Sequence, residues 1–185
     1  MKMTDDLESV LISQRRIARR TRELGEEITA FYGEGEIAAI AIINGALLFT
    51  ADLIRRIAIP VRLDCIRVAS YHSGIRPAGE PELVYSVDLE IENKRVLLID
   101  DILDTGRTLF TITRMFERHN PRSLHTCVLL NKKGRREIPF EPDFVGFDIP
   151  DKFVVGYGLD FAGRYRNLPC IGSLKPELQN PPGWS

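Results

Sequence analysis

The apolar residues of this chain fall into two rhythms. Ile37–Ile43 (IAAIAII) is apolar at every position, and Val96–Ile99 (VLLI) repeats that texture before two aspartates. Short unbroken runs of this kind fit strands covered on both faces, as in a parallel sheet. Leu124–Asn131 (LHTCVLLN) reads as a further strand. Val61–Ala69 (VRLDCIRVA) alternates, which gives it one more polar face. Between these runs the spacing turns helical. Ile17, Thr21, Leu24, Ile28 and Phe31 share one helix face, with Ser13 as N-cap and Gly33 and Gly35 at the end. After Asn44-Gly45 breaks the first strand, Leu47, Ala51, Ile54 and Ala58 mark a second helix. Leu109, Ile112, Met115 and Phe116 mark a third.

Strands alternating with helices predict an α/β fold, a doubly wound parallel sheet over about residues 33–131. Beyond Asn131 the texture changes to turn signals and short strands with no long helix. That part, from about 132 to 175, joins residues 1–13 in a smaller strand-and-loop subdomain, and the tail 176–185 is expected to be loose. Ser70–Glu82 (SYHSGIRPAGEPE) reads as a long exposed loop of the sort that serves as a lid. The whole chain of 185 residues is one domain with a sizeable core.

Composition narrows the function classes. With 44% hydrophobic and 28% charged residues the chain is an ordinary globular protein. A formal net charge of −1 gives no reason to expect bulk nucleic-acid or membrane-surface binding. The charged N-terminus lacks the apolar core of a signal peptide, and no run is long enough to span a bilayer. Three widely spaced cysteines, Cys65, Cys127 and Cys170, show neither metal spacing nor a disulfide framework. A cytoplasmic location with reduced, structural cysteines follows as the expectation.

The chemistry concentrates in VLLIDDILDTGRTLF, Val96–Phe110. A strand, a short loop and a helix place the residues after Asp101 at the carboxyl edge of the sheet, where open α/β folds bind ligands. Thr105, Gly106, Arg107 and Thr108 then fall at a helix N-terminus, whose free amides and dipole favour a phosphate. Asp100, Asp101 and Asp104 would repel that phosphate and must face something attached to it: hydroxyls, a developing cation or a magnesium ion. A sugar phosphate meets these demands together. The Walker pattern G-x-x-x-x-G-K-[ST] and the dinucleotide pattern G-x-G-x-x-G are both absent. Taken singly, the acids could merely end a strand and cap a helix; the run as a whole argues for a site.

At this point the chain resembles the type I phosphoribosyltransferases, whose signature is an apolar strand, two acids, two apolar residues and D-T-G-x-T. Pro150–Asp160 (PDKFVVGYGLD), Tyr165–Pro169 (YRNLP) and LLNKK, which ends the Leu124 strand, narrow the resemblance to the hypoxanthine (hypoxanthine-guanine) phosphoribosyltransferases. The fold it implies is the doubly wound sheet with a small strand-and-loop hood. The activity it implies is transfer of ribose 5-phosphate from phosphoribosyl pyrophosphate to a 6-oxopurine such as hypoxanthine or guanine, with Mg2+, in a homodimer or homotetramer.

Carried over by position, Thr105–Thr108 would hold the 5′-phosphate and Asp104 would act as general base. Asp100 and Asp101 would serve the ribose and metal, and Asp160 would also bind metal. Lys132 would donate to the purine O6, Phe153 would stack on the base, and the Val154 backbone would read its edge. Arg166 would meet pyrophosphate, as would Asn44-Gly45, where the family places a cis peptide bond; many relatives carry lysine in place of Asn44. Ser70 and Tyr71 match the start of the family's mobile loop. Asp100 stands where relatives often have glutamate. Two other readings remain open: a nucleotide-sensing regulator of the same fold that binds RNA or DNA, and a phosphoribosyltransferase for another base.

Overall fold

The computed structural model describes residues 3–69, 82–83 and 90–179. Its elements in chain order are β1 (Leu7–Ile12), α1 (Gln14–Tyr32), β2 (Ile37–Ile43), α2 (Leu47–Ile54), β3 (Val61–Ala69) and β4 (Glu82–Leu83). There follow β5 (Arg95–Leu103), α3 (Arg107–Glu117), β6 (Ser123–Lys132), β7 (Phe144–Ile149), β8 (Val154–Val155), β9 (Ile171–Leu174) and α4 (Pro176–Gln179). The main sheet runs β4-β3-β2-β5-β6-β7. All of its neighbouring strands are parallel except β4, which runs antiparallel to β3. β2 and β5 at its centre are buried almost throughout, which is why their sequences show no alternation.

One side of the sheet is covered by α1 and α2, whose Ile17, Leu24, Ile28, Phe49 and Leu53 pack with Leu97, Ile99 and Leu129. The other side is covered by α3 through Leu109, Ile112 and Phe116, packed with Ile40, Leu98 and Val128. Both ends of the chain build the hood, a second antiparallel sheet in the order β1-β9-β8. Ser13 caps α1 as expected, its hydroxyl accepting the Arg16 amide at 3.4 Å, and Gly33 at φ +62° ends it.

Four expectations need correction. The main sheet does not stop at Asn131: β7 pairs in parallel with β6, from Cys127 beside Phe144 to Lys132 beside Ile149. Gly146 makes this possible, since a Cβ there would meet the Leu129 carbonyl oxygen at 2.4 Å. At the end of α1, Tyr32 rather than Phe31 is the core residue, and Phe31 is 56% exposed. In α2 the buried face is Phe49, Thr50 and Leu53, while Leu47 and Ala51 are exposed. α2 is apolar on both faces, so spacing could not orient it. Finally, Pro176–Gln179 form a helical turn, with Gln179 Nε2 donating to the Leu174 carbonyl at 2.7 Å, so the tail is ordered at least that far.

Candidate active site

β5 carries its acids within the strand, and the chain bends only at Asp104–Gly106 before α3 begins at Arg107. Gly106 sits at φ +88°, and a Cβ there would lie 2.6 Å from the Ile138 carbonyl oxygen. The bend is held by two amides of the connection between β6 and β7, Glu137 and Ile138, donating to the Thr105 carbonyl at 2.9 and 3.1 Å. Fixed this way, it leaves the amides of Gly106, Thr108 and Leu109 without a protein acceptor among the described residues. The Arg107 amide has only a long contact, 3.4 Å, to the Thr105 hydroxyl. Three open amides at a helix start form an anion cradle. The Arg107 guanidinium turns aside to Glu137, 2.6 Å away, so what it presents to the cradle is backbone.

A cavity of about 260 Å³ adjoins the cradle and is lined from Ile42, Ile43 and Gly45 across Asp100, Asp101 and Asp104 to Thr105, Gly106 and Thr108. Burial pushes the Asp100 carboxyl well above the usual carboxylate range, and the neighbouring Asp101 charge adds to the rise. Burial raises Asp101 as well. One oxygen of each is engaged by backbone: Asp100 Oδ1 accepts the Asp101 amide at 2.9 Å, and Asp101 Oδ1 accepts the Ile102 amide at 3.0 Å. Two adjacent carboxyls, one buried and one partly buried, that resist ionisation have an evident use for a cationic partner.

Gly45 closes one wall. The Ile43–Asn44 peptide is cis, as the resemblance implied. A Cβ on Gly45 would lie 1.9 Å from Asp101 Oδ2, and a Cβ on Gly158 would lie 2.1 Å from the Gly45 carbonyl oxygen. These two glycines let the β2–α2 loop and the loop after β8 meet at the carboxylates. The Arg166 guanidinium is fixed beside them, donating to the Gly158 carbonyl at 2.6 Å and pairing with Asp160 at 2.7 Å. The second Asp160 oxygen accepts the Gly163 amide at 2.8 Å. Asn44, Gly45, Asp101, Asp160 and Arg166, far apart in sequence, thus converge.

On the other side β6 ends in Lys132, only 4% exposed. Its Nζ lies 3.9 Å from Asp104 Oδ2 and 3.9 Å from Asp151 Oδ1. Arg135 spans the same two carboxylates at 3.7 and 3.9 Å. These are Coulombic contacts rather than hydrogen bonds. The remaining oxygen, Asp104 Oδ1, is buried with no hydrogen-bond partner among the described residues. Arg136 holds the bend by donating to the Asp104 carbonyl at 3.1 Å and to Asn131 Oδ1 at 2.6 Å. Phe153 is 41% exposed and stands edge-on to Phe161, with ring centroids 5.5 Å apart. Val154 is buried in β8. Ser70 and Tyr71 lie outside the described residues.

Sequence reasoning missed Arg135, Arg136 and Asp151. The basic run KKGRR directly after Lys132 was the available signal. Asp151 stands inside the quoted PDKFVV but reveals its partners only once the connection after β7 lies beside the end of β6.

An anion cradle at the end of a central parallel strand, faced by a carboxylate pair and a glycine loop, is the architecture of phosphoribosyl transfer, and the chain belongs to the Phosphoribosyl transferase domain family, which matches residues 6–162. Among individual relatives, the hypoxanthine-guanine phosphoribosyltransferase of Bacillus subtilis (strain 168) is 42% identical over 176 residues, covering 95% of this chain and 98% of that protein. The crystal structure of a Staphylococcus aureus hypoxanthine phosphoribosyltransferase superposes with a TM-score of 0.91 at 42% identity, covering 97% of each chain. A Trypanosoma cruzi hypoxanthine phosphoribosyl transferase, studied for the role of its C-terminal region in oligomeric state and activity, gives 0.90 at 34% identity over 96% of each chain.

Proposed function

We propose that the chain salvages purines, joining hypoxanthine or guanine to the ribose 5-phosphate of phosphoribosyl pyrophosphate with release of pyrophosphate. One observation carries this reading. The open amides of Gly106, Thr108 and Leu109 face the same cavity as Asp100, Asp101 and Gly45, so one sugar can be held at both ends. Fixing both ends of the donor aligns the sugar carbon with the incoming base, which can contribute roughly 7–11 kcal/mol.

Each residue then has a task. The α3 amides and the Thr105 and Thr108 hydroxyls take the 5′-phosphate. The backbone around Asn44-Gly45 and the Arg166 guanidinium take pyrophosphate. Lys132 donates to the purine O6, Phe153 offers its exposed ring to the base, and the Val154 backbone meets the base edge. The purine nitrogen supplies the electron pair for the bond to C1′, and the C1′–oxygen bond breaks with its pair leaving on pyrophosphate. Asp104 accepts the proton that the purine sheds; its unpartnered Oδ1 is the free acceptor for it. Asp100 and Asp101, ionised once a cation is bound beside them, would add a negative field that favours the cationic character developing at C1′.

The donor set fits Mg2+, a hard cation that takes one or two carboxylates and fills its remaining positions with water and substrate phosphate. Asp100 and Asp101 would hold it; no three carboxylates gather as a metal cluster among the described residues, and Asp160 is taken up by Arg166 and the Gly163 amide. When bound, it supplies neutralising charge to the leaving pyrophosphate.

A homodimer or homotetramer in the cytoplasm completes the proposal. None of the described helices is long and apolar enough to cross a membrane.

The test is a substrate panel: hypoxanthine, guanine, xanthine, adenine and uracil, each offered with phosphoribosyl pyrophosphate and magnesium, with nucleotide formation measured. Turnover of hypoxanthine or guanine is the expected result. Turnover confined to adenine or uracil would overturn the purine assignment and favour a phosphoribosyltransferase for another base.

A further inference from the structure

A second cleft, of about 480 Å³, lies on the outer side of α1 and shares no lining residue with the cavity at Asp100. Its lining is Arg15, Arg16, Arg19, Arg22 and Arg56, with only Ser13 and Ala18 besides. Five arginines thus line it with no carboxylate residue in the lining, in a chain whose formal net charge is −1. Arg15, Arg19 and Arg22 recur at the spacing of one helix face. Arg56 comes from a different element, just beyond α2. Its approach depends on Gly25 in the middle of α1, where a Cβ would lie 2.4 Å from Arg56 Cβ and 2.7 Å from the Arg56 carbonyl oxygen. The fourth wall is therefore brought in by tertiary packing and is not a property of the helix alone.

Internal neutralisation is slight. Arg16 donates to the Leu11 carbonyl at 3.1 Å and lies over the Phe147 ring, and Arg19 pairs with Glu23 at 3.7 Å. The side chains of Arg15, Arg22 and Arg56 have no acidic partner among the described residues. Arg55, next in sequence to Arg56, pairs with Asp52. The same protein thus pairs one member of this doublet and leaves the other facing the cleft.

We propose that this cleft is an anion site, separate from the transfer reaction, that takes a chain of linked phosphoryl groups. The lining dictates the ligand class. With no aromatic ring to stack on and a lining more polar than apolar, the cleft offers little to a nucleobase. What it offers is several planar forks of N–H donors, which match phosphate oxygens bidentately. A concave site of this volume suits a compact ligand. A duplex would call for an extended basic stripe, and the overall charge supplies none. A linear polyphosphate, free or as the tail of a nucleotide, places several charges within reach of several arginines.

The test is isothermal titration of the full chain with inorganic tripolyphosphate, at low salt and with EDTA, on wild type, R22E/R56E and R22Q/R56Q. The charge-reversed variant should bind at least tenfold more weakly, with the glutamine variant in between. Phosphoribosyl transfer should be unchanged in kcat/KM, because neither residue touches that site. If R22E/R56E does not fold, R22Q/R56Q alone decides by the same shift against wild type. Equal affinity for ATP and tripolyphosphate, with orthophosphate much weaker, would identify the phosphate chain as the recognised part. Unchanged tripolyphosphate affinity in the variants would overturn the proposal. So would a DNA or RNA duplex that displaces tripolyphosphate from wild type but not from R22E/R56E.

Discussion

Asp104 stands between opposites. Lys132 and Arg135 approach one of its oxygens within 4 Å while the other is buried without a partner. An unpartnered buried oxygen costs energy until a proton donor arrives. That arrangement suits a base waiting for the proton of a bound purine. Asp104→Asn should lower kcat by about 10²–10⁴-fold, while the KM for phosphoribosyl pyrophosphate changes much less; steady-state kinetics check both, and near-normal kcat would remove Asp104 from the chemistry. Gly45 makes the complementary case. Gly45→Ala would drive a methyl group into the Asp101 carboxylate, 1.9 Å from Oδ2, so loop or strand must move. Displacement on that scale should cost on the order of 10²-fold in kcat/KM, with thermal stability reporting separately whether the fold survives.

At the scale of elements, what could be read from sequence followed how one-sided each element's environment is. β2 and β5 are buried on both faces and carry uninterrupted apolar runs, so their type and extent were plain. α3 shows a sharp apolar face, and Leu109, Ile112 and Phe116 are buried as expected. α2 has apolar residues all round, and only its packing against α1 and the sheet selects Phe49, Thr50 and Leu53. β7 is only partly buried along most of its length, and so its place at the sheet edge was missed. Gly25 of α1 lets the chain just beyond α2 come close at Arg56, whose Cβ would lie 2.4 Å from a Cβ at position 25. Gly25→Ala should destabilise the fold by about 1–3 kcal/mol through overpacking, despite alanine's better helix propensity. Urea unfolding would show a lowered midpoint; a raised midpoint would mean that the two helices can part without cost.

For the molecule as a whole, two tyrosines tie separate layers. The Tyr32 hydroxyl donates to the Val96 carbonyl at 3.2 Å, joining α1 to β5, and the Tyr157 hydroxyl donates to Asp52 at 2.7 Å, joining the hood to α2. Burial raises both phenol pKa values, with the Asp52 hydrogen bond adding to the effect at Tyr157. A pKa raised in the folded state gives stability that is complete below the unfolded value, about 10, and is lost as pH climbs from there through the folded value. Stability measured by urea unfolding should fall as pH rises above about 10, and Tyr157→Phe should fall less steeply there while starting from a lower value. An unchanged slope would mean that the Tyr157 phenol does not drive the alkaline loss.

Sequence alone determined the alternation of strand and helix, the position of the anion cradle at the end of β5, and the adjacency of acids to it. These are local matters: periodicity, a glycine at positive φ and amides left over at a helix start all lie within a few residues of one another. Only the tertiary structure decided that Gly45 touches Asp101, that Gly158 admits Arg166 to the same wall, and that Lys132 and Arg135 share Asp104 with Asp151. Those partners come from loops up to about a hundred residues apart, and what joins them is the packing of strands and hood. Periodicity reports how a segment faces its surroundings; it does not report which distant side chain will stand opposite.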